Sequence, residues 1–142
     1  MRALRRWWPA AVWAVVIWVA STDLFSTQHT SQILWPFLKW LFPDISEKTL
    51  WLVHHGIRKA AHVTEYFVLS LLVLRGVRGE QSGWRWTWAL ATLGITASYA
   101  ALDEVHQLFV STRDASPMDV VIDTAGAILG QAAAKWKARR RL

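Results

Sequence analysis

Residues 7–20 contain no charged side chain, and neither do residues 124–134. A helix on the surface of a soluble protein needs a polar face along its length, and neither stretch can supply one. This argues against a soluble four-helix bundle and for helices surrounded by lipid. Composition agrees. The 142 residues are 54% hydrophobic and 18% charged, against about 45–50% and about 25% in soluble domains. A chain this apolar does not stay solvated and unfolded, and its length suits one domain. Its 11 tryptophans are of the residue type that gathers at membrane interfaces. It has no cysteine, which excludes disulfide scaffolds, thiolate metal sites and cysteine nucleophiles.

The pattern along the chain predicts an all-α, integral membrane four-helix bundle in a single domain over residues 1–142. Its spans fall at roughly 7–25, 54–74, 84–109 and 119–136. A basic start before an apolar run is also the pattern of a signal peptide. Cleavage near Ala20, however, would leave Trp18 where a small residue is required, so the segment reads as a retained span. Pro9 sits where this first helix is expected to start, a position that tolerates proline. Residues 26–31 are polar and loop-like. Residues 33–42 are apolar and aromatic, bounded by Pro36 and Pro43, and too short to cross. They read as a short interfacial helix between spans 1 and 2. Gly76 and Gly79 close the second span. Residues 111–117 form a polar turn.

The net charge of +6 would suggest a nucleic acid or anionic partner in a soluble protein. Its distribution says otherwise. With the N-terminus inside, the inner segments hold Arg2, Arg5 and Arg6; Arg75, Arg78 and Arg85; and Lys135, Lys137, Arg139, Arg140 and Arg141. Eleven of the 16 basic residues thus lie inside, with one acid, Glu80. This is the positive-inside pattern. It predicts a multi-pass protein of the inner or plasma membrane with both termini cytoplasmic. The basic tail reads as a topology anchor, with no nucleic-acid motif beside it.

The polar residues within the spans gather toward the outer side. Lys59, His62, Glu65 and Tyr66 follow the 3/4 spacing of one helix face. Asp103, His106 and Gln107 share a face of the third span beside Glu104. Asp119, Asp123, Gly126 and Gly130 form a stripe on the fourth, where the glycines allow close helix approach. Arg113 sits on the turn above. Opposite charges are at hand for pairing, with Lys59–Asp103, His62–Asp103 and His62–Glu65 the expected pairs. An intramembrane ionisable cluster implies function. The inner halves of the second and fourth spans carry no ionisable residue, which speaks against a charged path across the membrane.

Two stretches carry a family resemblance. RKAAHVTEYFVLS at residues 58–70 and DEVHQLFVSTRDASPMDVVIDTAGAILG at residues 103–130 closely resemble the two signatures of the VanZ-like family of small membrane proteins. The polar positions named above match those signatures, except that Asp123 stands where the family usually has asparagine. The family takes its name from a member conferring low-level resistance to the glycopeptide teicoplanin. The resemblance therefore implies a role at the cell envelope and a link to glycopeptide susceptibility.

Two functions follow as expectations. In the first, the cluster is a non-catalytic polar pocket open to the outer leaflet, whose partner is a membrane lipid or another amphiphilic or lipid-linked molecule. In the second, His62, Asp103, Glu104 or His106 performs acid-base or metal chemistry on a lipid headgroup. No metal-ligand motif supports a metal, no cofactor motif is present, and no catalytic residue can be named. A small-solute transporter would require an oligomer, which the sequence leaves open.

Overall fold

The computed structural model describes residues 2–22, 27–110 and 115–140. Five helices follow one another: α1 (Arg2–Ala20), α2 (Thr27–Leu41), α3 (Glu47–Arg78), α4 (Trp86–Gln107) and α5 (Pro117–Arg139). No strand occurs among the described residues, so the all-α expectation holds. One helix among them, α3, is long and apolar enough to cross a membrane by length and composition.

Several boundaries differ from the sequence reading for identifiable reasons. α1 starts at Arg2, so Pro9 lies inside it rather than at its start. An interior proline cannot donate to the carbonyl four residues back. That carbonyl, of Arg5, instead lies 3.5 Å from the Arg75 guanidinium. Residues 27–31 are helical rather than looped, and Pro36 lies inside α2. α3 starts at Glu47 because Ser46 caps it, its hydroxyl accepting from the Thr49 amide at 3.2 Å. At 32 residues α3 is about 48 Å long at 1.5 Å per residue. α5 starts at Pro117, one residue after its cap Ser116, the position where a proline costs a helix least.

The four long helices alternate in direction. Tyr99 of α4 donates to the Ala14 carbonyl and Ser21, directly after α1, donates to Asp103, so α1 and α4 run parallel. Trp13 of α1 donates to the Glu65 carbonyl while Trp7 lies against Gly76, so α1 and α3 are antiparallel. Helices α3 and α5 run parallel, with Gly126 against Val63 and Gly130 against Phe67. A Cβ at Gly126 would collide with the Val63 carbonyl oxygen, and one at Gly130 would come within 2.8 Å of the Phe67 carbonyl oxygen. The two backbones thus touch where the sequence places small residues. Helix α3 is the hub, in contact with α1, α2, α4 and α5.

Ile17, Tyr66, Leu69, Val73 and Ala100 form the apolar core. Much of the remaining interior is polar. Asp103 and Asp123 are 1% exposed and Gln107 is fully buried, as are Ser70, Thr92 and Thr96. The outward faces are apolar: Val15, Leu90, Leu102 and Val121 are each at least 60% exposed. Soluble proteins have the opposite arrangement for charged residues, which are almost never fully buried unless paired.

Candidate functional site

The parallel packing of α3 on α5 brings the two polar stripes face to face. Lys59 Nζ lies 3.2 Å from Asp119 Oδ1. One turn deeper, His62 Nδ1 lies 3.0 Å from Asp123 Oδ1, both side chains nearly enclosed. The ring N–H donates to the carboxylate. These pairs replace the expected ones: neither Lys59 nor His62 takes Asp103 as its hydrogen-bonded partner, and His62 is bonded to Asp123 rather than to Glu65. The sequence placed Lys59, His62, Asp119 and Asp123 on facing stripes. The axial offset between the helices, set by Gly126 and Gly130 against the α3 backbone, selects the partners.

Asp103 is held from another direction. Its Oδ2 accepts from Ser21 Oγ, directly after α1, at 2.7 Å and from Gln107 Nε2 one turn along α4 at 3.2 Å. Glu104 Oε1 accepts from the Ser116 backbone N–H, which ties the end of α4 to the start of α5. Tyr66 is fully buried in the core, its ring tilted against Tyr99 with centroids 6.4 Å apart. Glu65 is half-buried, and its carbonyl is the acceptor for Trp13.

His106 does not share the interior face with Asp103 and Gln107. It is half-buried and stacks on Trp18 of α1, with ring centroids 3.9 Å apart and planes 11° from parallel. Around the helix His106 is offset some 60° from Asp103 in one sense and Gln107 some 40° in the other, and this turns His106 toward α1 while Gln107 stays with Asp103. Arg113 lies outside the described residues. Gly126 and Gly130 serve close packing, as their spacing suggests.

Several buried polar atoms of this cluster have no hydrogen-bond partner among the described residues: Tyr66 Oη, Asp103 Oδ1, Glu104 Oε2 and Gln107 Oε1, with His106 Nδ1 beside them. Such atoms are uncommon in folded proteins, and each carries a substantial desolvation cost. Three of them, on Asp103, Glu104 and Gln107, are oxygens of carboxylate or amide groups, which accept hydrogen bonds. Among the described residues no three His, Asp or Glu side chains are grouped to hold a metal ion.

Sequence reasoning missed Ser21 and Trp18. A serine and a tryptophan at the end of an apolar run carry no spacing that ties them to residues some 80 positions later. It also missed a second polar layer. Ser70 Oγ donates to the Ala127 carbonyl at 2.9 Å, and Gln131 Nε2 donates to Ser70 Oγ at 2.8 Å. A signal for this layer did exist. Ser70 and Gln131 each lie eight residues, about two turns, beyond the paired His62 and Asp123, and both pairs are 61 positions apart. A cavity of about 870 Å³ lies elsewhere, lined by residues of the α2–α3 corner such as Leu38, Phe42 and Val53.

The VanZ/LLP1 family model matches residues 7–138. The chain belongs to that family. No curated protein and no solved structure matches it.

Proposed function

We propose that this member of the VanZ/LLP1 family spans the membrane four times through α1, α3, α4 and α5. Both termini are cytoplasmic, and the polar cluster at the outer end binds the headgroup of an amphiphile from the outer leaflet. Three features support the membrane reading: the exposed apolar faces over a polar interior, the alternating helix directions, and the basic residues gathered at one end. In lipid, apolar side chains face outward at no cost and polar groups pair inside.

The observation that carries the binding reading is the set of buried, unpartnered acceptors on Asp103, Glu104 and Gln107. These atoms are satisfied by a group that donates hydrogen bonds, such as a hydroxyl or an ammonium. The amphiphile therefore carries donors on its headgroup. Lys59 and Asp119, at the less buried end of the same stripe, mark the way in. Glycopeptide susceptibility is the cellular trait in which such binding at the envelope would register.

The test compares lipids in nanodiscs containing the full chain. Phosphatidylethanolamine and a glucosyl diacylglycerol offer donors, whereas phosphatidylcholine offers none. The donor-bearing lipids bind in preference to phosphatidylcholine, and Asp103→Asn combined with Tyr66→Phe removes that preference while leaving the helix content unchanged. Equal binding of all three lipids, or an unaltered preference in the double variant, returns the cluster to interhelical glue. Conversion of the headgroup during incubation, abolished by His62→Ala, would replace binding with catalysis.

A further inference from the structure

We propose that the opposite, basic end of the bundle holds the phosphate of an anionic phospholipid of the inner leaflet. The seat is formed by Lys135 and Arg85 on the indole rings of Trp84, Trp86 and Trp88. This inference rests on the membrane orientation proposed above and is independent of the polar cluster and its ligand.

The cations at this end are held in an unusual way. A lysine or arginine near a helix end commonly meets a carboxylate, but the one acid in these segments, Glu80, is engaged by Arg6 at 2.5 Å. Lys135 Nζ instead lies 4.4 Å from the Trp86 ring centroid and 4.9 Å from that of Trp84. Arg85 Cζ lies 4.9 Å over Trp88, and Arg140 Cζ lies 3.7 Å over Trp136. A ring face attracts a cation through its quadrupole and does not neutralise it. These groups are therefore positioned with their full charge intact.

The seat is built into the fold. Trp84 Nε1 donates to Gln131 Oε1 at 3.4 Å, and the buried Gln131 is itself anchored on Ser70. Trp86 stands edge-on to Trp84, with centroids 4.7 Å apart. α4 also starts here, with no acid in its first turn and no side-chain cap from Arg85, so its first amides keep their partial positive charge. Leu90, four residues after Trp86, and Ile128, seven before Lys135, expose apolar surface farther along the same helix faces. A molecule with a phosphate and acyl tails meets both surfaces, whereas inorganic phosphate meets only the cations. Basic side chains at the cytoplasmic surface of a membrane attract anionic lipid headgroups.

The test titrates the purified full chain in dodecyl maltoside with phosphatidylglycerol or phosphatidylcholine and counts bound lipid by native mass spectrometry. Phosphatidylglycerol binds at least tenfold more tightly than phosphatidylcholine, and millimolar inorganic phosphate does not displace it. Lys135→Gln and Arg85→Gln each weaken its binding about fivefold, corresponding to about 1 kcal/mol per cation near an anionic surface. Lys135→Arg retains binding, and Lys48→Gln at the other end has no effect. Unchanged phosphatidylglycerol binding in both Gln variants, equal binding of phosphatidylcholine, or displacement by inorganic phosphate overturns the proposal. Flotation of the wild-type chain with pure phosphatidylcholine vesicles tests the membrane reading separately, since it does not depend on this seat.

Discussion

Asp103 shows how one side chain can tie the end of α1 to α4. Its Oδ2 accepts from Ser21, directly after α1, and from Gln107 of its own helix α4. Asp103→Ala leaves Ser21 and Gln107 without an acceptor in a buried site and costs about 1–3 kcal/mol. Asp103→Asn keeps an oxygen in place and costs less, as thermal unfolding in detergent will register. The pairing of His62 with Asp123 yields a second prediction. A double-mutant cycle between them gives a coupling of about 0.5–3 kcal/mol, whereas the more exposed Lys59–Asp119 pair gives about 0.2–1 kcal/mol. At this scale the sequence was legible up to a point. Spacing put Lys59, His62, Asp119 and Asp123 on facing stripes, because helical periodicity alone determines a face. It did not determine who pairs with whom, because one turn of axial slip between two helices exchanges every partner.

That slip is fixed by small residues, so the element scale is where the register can be tested. Gly126→Ala places a methyl group against the Val63 carbonyl oxygen. A backbone atom cannot rotate away, so α3 and α5 must separate, at a cost of about 1–3 kcal/mol. Gly130→Ala acts in the same direction against Phe67. Gly94 of α4 has nothing within 4 Å of the added Cβ, and Gly94→Ala stabilises by up to about 1 kcal/mol through helix propensity. Melting temperatures of the three variants will separate packing from propensity. The glycine stripe could be read from the sequence because its 3/4 spacing follows the acids on the same face. The start of α3 could not, since Ser46 acts as a cap only once the following turn closes on it. Nor could the interior position of Pro9, because the compensating Arg75 contact comes from 70 residues away.

On the scale of the whole molecule, the two ends of the bundle differ chemically. One gathers Ser21, Lys59, Asp103, Glu104 and Asp119; the other gathers Arg5, Arg75, Arg78, Arg85 and Lys135. The charge asymmetry was visible in the sequence because it needs only the order of segments. The contribution of α1 to the polar end was not visible, because Ser21 acquires its meaning from Asp103, 82 positions away. The orientation of these ends decides which leaflet each one meets. The cysteine-free chain allows that orientation to be read with single cysteines at exposed positions beyond the helix ends, Asp44→Cys and Ser82→Cys. An impermeant maleimide applied to intact cells labels the Asp44 site and reaches the Ser82 site only after permeabilisation. Labelling of the Ser82 site in intact cells, with the Asp44 site protected, would place the polar cluster at the cytoplasmic face and contradict the account.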